Sequence, residues 1–183
     1  KDALQAKREL EEKEGWTFKS KVKSKKKKKK SLKLECPKPL DEQLENELWS
    51  IAAGMEFDEL SFGREFTIDV GKDTNRRQID VFGKDSEAAV FIECTQVDSP
   101  KKKSMENLIN KIVNIRPKVY QSIKKHYGST PKLKMKWVIA TRNVIWGEAD
   151  LAKANAANII VIKDQEIDYY IKLTNHLRGA AKY

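Results

Sequence analysis

The stretch QIDVFGKDSEAAVFIECTQ, residues 78–96, decides the fold. Gln78 to Phe82 is strand-like, Gly83-Lys84-Asp85-Ser86 supplies turn chemistry, and Ala88 to Cys94 is short, almost wholly apolar and bounded by turn residues. A segment of that last kind suits a strand buried on both faces, and therefore the centre of a sheet. Asp80 and Glu93 each fall near an end of their strand. Side chains alternate along a strand, so Glu93 and Thr95 point to one side while Asp80 sits on the neighbouring strand. Two carboxylates placed this way can converge on a hard cation such as Mg²⁺ or Mn²⁺, which takes oxygen ligands, activates water and stabilises charge on a phosphate. A carboxylate ending a buried apolar run is costly unless something pairs with it.

Working outward, Pro37 and Pro39 precede a helix over 42–53, capped by Asp41, with Leu44, Leu48, Ile51 and Met55 at helical spacing. Phe62 to Gly71 reads as a strand and Asp73-Thr74-Asn75 as a turn. Downstream, a polar loop with Pro100 and Lys101, Lys102 and Lys103 leads to a long helix whose Met105, Leu108, Ile112, Ile115, Val119 and Ile123 share a face. Pro117 is expected to kink or split it. Lys134 to Ala140 reads as a strand, Gly147 to Ala156 as a helix, Asn158 to Ile162 as a strand, and Asp164 to His176 as a helix capped by Asp164. The order α-β-β-β-α-β-α-β-α implies an α/β fold with a mixed sheet: three strands joined by short turns, then strands joined through covering helices.

At 183 residues the chain has room for one domain with a substantial core plus appendages. The net charge of +10 is unevenly placed: residues 1–34 hold 14 Lys/Arg and 5 Asp/Glu, leaving 23 and 22 for residues 35–183. The boundary is drawn at 39, with a charged tail and linker before it and one domain over 40–183. The run Lys25, Lys26, Lys27, Lys28, Lys29, Lys30 repels itself and is expected to be a disordered linker. It serves either as a phosphate-binding arm or as a solubilising spacer or localisation signal. Asp2 to Glu14 has helix-forming composition with only Leu4 and Leu10 as spaced apolar residues. Cys36 and Cys94 are too few for a disulfide framework, and no Cys/His cluster has zinc spacing, which points to an intracellular, reducing setting. No membrane span or signal peptide is visible. A start at Lys1 inside a charged stretch and an abrupt end at Tyr183 suggest a piece of a longer chain.

An Ile-Asp strand, a short turn and an apolar strand ending in Glu93-Cys94-Thr95 resemble the PD-(D/E)xK, restriction-endonuclease-like nuclease superfamily, whose core order is α-β-β-β-α-β. The resemblance covers residues 42 to about 140, with additional C-terminal β-α units beyond it. It implies a Mg²⁺- or Mn²⁺-dependent endodeoxyribonuclease site with Asp80 and Glu93 as ligands. It also implies an acidic residue from the first helix, Glu45, or Glu47 as fallback. The segments LENELWSIAAGMEF, QIDVFGKD, IECTQ, KKHYG, WVIATRN and YYIKLTNHLRGAAKY together resemble the nuclease-like segment that precedes the DGQHR domain in bacterial and archaeal DndB-related proteins. That likeness implies a role in DNA modification or defence, with further domains of a longer parent chain as partners.

The superfamily pattern expects Lys two residues after the motif glutamate, and here that position is Thr95, which carries no charge. Three explanations stay open. The lysine has moved, to Lys101, Lys102 or Lys103 or to Lys111 on the next helix; Thr95 or Gln96 suffices with metal; or the domain is a non-catalytic DNA-binding relic. Arg76 and Arg77, with Lys101 to Lys103, are the candidates for holding phosphates. Trp49 and Trp137 are expected in the core, and Trp146 either packs or stacks on a base. Cys94 reads as a small buried hydrophobe, and His126 and His176 as structural or exposed. The competing functions are a metal-dependent endonuclease, a non-catalytic DNA-binding module and a protein-interaction module. DNA is the expected partner, a homodimer is an open alternative, and no membrane is involved.

Overall fold

The computed structural model describes residues 19–21, 33–35, 40–61, 67–68, 77–128 and 133–180. The chain divides into Lys1–Pro39 and Leu40–Tyr183. In the first unit β1 (Lys19–Lys21) pairs antiparallel with β2 (Lys33–Glu35). That ladder flanks the lysine run, so the tail is not wholly without backbone order. The run itself, and the stretch Asp2 to Glu14, lie outside the described residues.

The second unit is a mixed α/β fold around a five-stranded sheet in the order β3-β6-β7-β8-β9. Its elements are α1 (Leu40–Gly54), β3 (Glu59–Leu60), β6 (Val81–Lys84), β7 (Ala88–Lys102), α2 (Glu106–Tyr127), β8 (Lys134–Ile145), α3 (Glu148–Ala156), β9 (Ile159–Ile162) and α4 (Asp164–Ala180). The β3–β6 and β6–β7 pairs are antiparallel, whereas β7–β8 and β8–β9 are parallel. A short ladder of β4 (Thr67–Ile68) with β5 (Arg77–Gln78) stands apart from this sheet.

Alternation along the central strands builds two cores. Phe91, Trp137 and Ile139 face α2 and α3, where Ile109, Ile112, Ile115, Val119 and Ala154 meet them. Ile92, Val138 and Ala140 face α1 and α4, where Leu44, Leu48, Ile51 and Ile167 meet them. The expectation of a doubly covered strand at 88–94 holds for this reason, and Phe91 stacks on Trp137 with centroids 4.7 Å apart.

Several expectations fail in detail. The strand read over 62–71 is seen as β4 at Thr67–Ile68, with 62–66 and 69–71 outside the described residues, and the first strand of the five-stranded sheet is Glu59–Leu60. It is prolonged by Ser61, whose N–H donates to Phe82 O at 2.9 Å and whose hydroxyl accepts from Phe82 N–H at 3.1 Å. The strand read over 78–82 breaks at Ile79-Asp80 into β5 and β6. The polar loop read around Pro100 is strand: β7 runs to Lys102, and Lys101 and Lys102 pair with Val144 and Ile145 beyond a bulge after Gln96. Of the two outcomes expected at Pro117, a kink or a split, the split fails: α2 runs continuously through it, with buried Ile112 and Ile115 before it and Val119 and Ile123 after it anchoring both halves to the sheet. Met55 and Trp49 are exposed rather than core; the Trp49 indole instead donates to Ser61 O at 2.5 Å, tying α1 to β3.

Candidate functional site

Glu93 is the first residue of β7 past the end of β6, whose ladder begins at Val81 opposite Ile92. There the chain bends at Asp80, and Asp80 Oδ2 accepts the Cys94 N–H at 2.7 Å. The carboxylate stands in for the missing strand and satisfies a backbone donor that would otherwise lack its partner. One sequence-predicted acid is thus seated beside the backbone of the residue that follows the other.

Glu93 itself is 4% exposed and lies on the α2 face, level with Ile139 of β8. Lys111, in the second turn of α2, reaches it: Nζ to Oε2 is 2.7 Å, with the lysine side chain 35% and the glutamate side chain 5% exposed. An ionised carboxylate at that depth requires a counter-charge, and the helix supplies one. Thr95 shares this face, half-buried, opposite the buried Thr141.

Cys94 and Gln96 alternate to the other face, towards α1. Burial pushes the Cys94 thiol well above its ordinary value of 9.0, and the negative charges of Asp80, Glu45 and Glu93, in that order, push it further. The thiol is therefore a protonated, small filler. Gln96 Oε1 is buried without a hydrogen-bond partner among the described residues. Glu45 sits half-buried on α1, the helix that covers the face opposite Glu93. Glu47 is committed elsewhere: Arg142 donates to it from Nε at 2.8 Å and to Asp168 of α4 from Nη2 at 2.8 Å.

The structure therefore brings Glu93 together with Lys111, and Asp80 with the Cys94 backbone, while Glu45 and Gln96 approach from the other side of the sheet. Among the described residues no group of three or more His, Cys, Asp or Glu is placed to hold one metal ion. The donor chemistry at Asp80 and Glu93, carboxylate oxygens only, is of the kind that Mg²⁺ or Mn²⁺ takes. Lys101, Lys102 and Lys103 are all exposed at the end of β7. Arg77 contributes its backbone to β5, and its side chain, like Arg76 and the Lys25 to Lys30 run, lies outside the described residues.

Other conspicuous residues are structural. Trp137 is buried, and Trp146 is buried with its indole donating to Thr141 Oγ1 at 3.0 Å, so it packs. His126 and His176 are exposed. Two hollows lie away from Glu93: an open groove of about 610 Å³ along β9 and α3, and a pocket of about 210 Å³ at the β6–β7 turn. No residue of the second was read as a site residue in the sequence, although Tyr120, Lys124 and Tyr127 stand at helical spacing.

No family model matches the chain, and no curated protein matches it. Among solved structures it is similar to protein VC1899 from Vibrio cholerae, with a TM-score of 0.49 and 14% identity over 75% of this chain and 33% of that one. The chain thus spans about a third of the length of VC1899. A likeness of that degree carries no function. No helix among the described residues is long and apolar enough to cross a membrane.

Proposed function

We propose that residues 40–183 form a metal-dependent phosphodiesterase domain acting on DNA, in which Lys111 supplies the ammonium that position 95 lacks. The observation that carries this reading is the 2.7 Å contact between Lys111 Nζ and Glu93 Oε2, made from a different element than the strand on which the resemblance expects the lysine. Asp80 and Glu93 are the residues that would hold Mg²⁺ or Mn²⁺, which when bound supplies charge stabilisation and an acidified water. Lys111 holds a positive charge beside Glu93 in a site largely shielded from water, where it stabilises charge developing on a phosphate. Thr95 offers a hydroxyl on the same face. Lys101 to Lys103 hold neighbouring phosphates. The resemblance to the segment before DGQHR domains supports placing this activity in a DNA modification or defence protein.

A second reading, a non-catalytic DNA-binding module, is favoured by one observation: the ion pair with Lys111 already neutralises Glu93. Cleavage of plasmid DNA in Mg²⁺ or Mn²⁺ separates the two. On the first reading the unmodified chain cuts, Glu93→Gln and Lys111→Ala each lose on the order of 100-fold or more in rate, and Thr95→Lys partly restores Lys111→Ala. Calorimetric titration of Mn²⁺ gives an independent readout, since Glu93→Gln should weaken it. Absence of cutting in either metal with DNA binding intact rejects the catalytic reading and leaves the second.

A further inference from the structure

The pocket at the β6–β7 turn lies before the start of β7, away from Glu93. Glu93 is five positions along the strand from Ala88, about 17 Å at roughly 3.3 Å per residue. Three parts of the chain wall it: Lys84 to Ser86 from the turn, the last two turns of α2, and Leu133 and Met135 at the start of β8. Tyr120, Lys124 and Tyr127 stand at i, i+4 and i+7, so one helical face brings them to the same mouth. Ile123, Leu133 and Met135 give an apolar lining continuous with the core.

Each tyrosine ring carries an ammonium. Lys84 Nζ lies 4.6 Å from the Tyr127 centroid, and Lys124 Nζ 4.8 Å from that of Tyr120. The two ring–cation pairs differ in commitment. The Tyr127 hydroxyl donates to Glu59 Oε2 at 2.6 Å and Lys84 sits 3.7 Å from Glu59 Oε1, which fixes that ring and its cation. Burial and then the Glu59 hydrogen bond push the phenol above its ordinary value of 10.0, so it stays a donor. At the other pair, one to two turns earlier on α2, Tyr120 is 43% exposed, and Lys124 makes no ion pair among the described residues. Asp85 Oδ1 is taken up by the N–H groups of Glu87 and Ala88, at 2.7 Å each, so it closes the turn rather than filling the pocket.

We propose that this pocket binds a nucleoside phosphate, with the base against the Tyr120 and Tyr127 rings and the phosphate on Lys124. Its volume of about 210 Å³ is below the roughly 300–1,000 Å³ of sites for drug-sized ligands, so it takes one ring system rather than a whole dinucleotide. Aromatic faces with a flanking cation suit a base bearing a phosphate, and two ammonium groups at the mouth disfavour a purely apolar occupant. The occupant is a free nucleotide or an unpaired nucleotide of a DNA strand. Neither Glu93 nor a metal is required, so the inference stands apart from the phosphodiesterase reading.

The test is calorimetric titration of the full chain, without divalent metal, using AMP in one arm and a six-residue oligothymidylate in the other. At least one probe should bind, and Tyr120→Ala and Lys124→Ala should each weaken it about tenfold. Lys125→Ala, on the same helix but outside the pocket, should change nothing. Tyr120→Leu, which keeps apolar bulk, should lose affinity like Tyr120→Ala and so separates stacking from folding. Tight AMP binding identifies a free nucleotide as the source; oligonucleotide binding that is much tighter and still sensitive to Tyr120 identifies a strand. Absence of binding by both probes, or binding that neither Tyr120→Ala nor Lys124→Ala affects, overturns the proposal.

Discussion

At the scale of single residues, the Glu93–Lys111 pair has a clear energetic signature. Removing the ammonium while keeping the stem, as in Lys111→Met, takes this counter-charge away from a buried carboxylate. Breaking a fully buried pair costs about 3–5 kcal/mol, but Lys111 is a third exposed, so we expect a loss of about 1–3 kcal/mol at neutral pH. The double variant Glu93→Gln/Lys111→Met should recover part of it, and urea denaturation of the four proteins measures the coupling. Tyr127 gives the pH counterpart. Its folded-state pKa is raised by burial and then by the Glu59 hydrogen bond, so the folded chain holds this proton more tightly than the unfolded one. Its contribution is complete below pH 10 and declines as pH rises above that value. Denaturation midpoints between pH 8 and 11 should fall less steeply in Tyr127→Phe than in the unmodified chain. Asp80 and Glu93 were visible in the sequence because acids at the edge of an apolar run stand out. Lys111 appeared there only as one candidate among several, since its helical phase against Glu93 depends on how far β7 continues.

That continuation belongs to the scale of elements, where local composition misleads most. Pro100 and three lysines have loop composition, yet a parallel partner, β8, carries the strand to Lys102. The bulge that makes this possible leaves Asn143 at φ 59°, with its N–H on Asp164 Oδ1 at 2.8 Å and its side-chain amide on Val97 O at 3.0 Å. Asn143→Ala should cost about 1–3 kcal/mol through strain and the missing side-chain hydrogen bond, while Asn143→Gly should cost less because the strain is relieved. Thermal melts of both variants check the order. Between α1 and α4, a Cβ on Gly54 would come within 2.7 Å of Thr174 Cβ, itself buried. Gly54→Ala should therefore destabilise by about 1–3 kcal/mol, although alanine is the better helix former. A raised melting temperature would show that α4 yields at that point. Strong periodicity made the helices legible; short edge strands such as Glu59–Leu60 carry too few residues to announce themselves.

At the scale of the whole chain, charge and fold are separate. The domain over 40–183 is nearly neutral and the tail holds most of the excess, a division visible in composition alone. Deleting residues 1–34 should weaken non-specific DNA binding and reduce its salt dependence, by about 0.9 in log–log slope for each phosphate that the tail neutralises. A slope unchanged by the deletion would make the tail a spacer. The element order and the double-faced sheet were also legible, because each helix shows one apolar stripe and the central strand shows two apolar faces. The parallel pairing of β7 with β8 has one more consequence. Ala88 meets Lys134 and Gln96 meets Arg142, partners 46 positions apart, so the centre of the sheet closes only after the intervening chain has been gathered in. Folding should then run in milliseconds to seconds rather than microseconds, with α2 as the crossover whose early formation shortens the search.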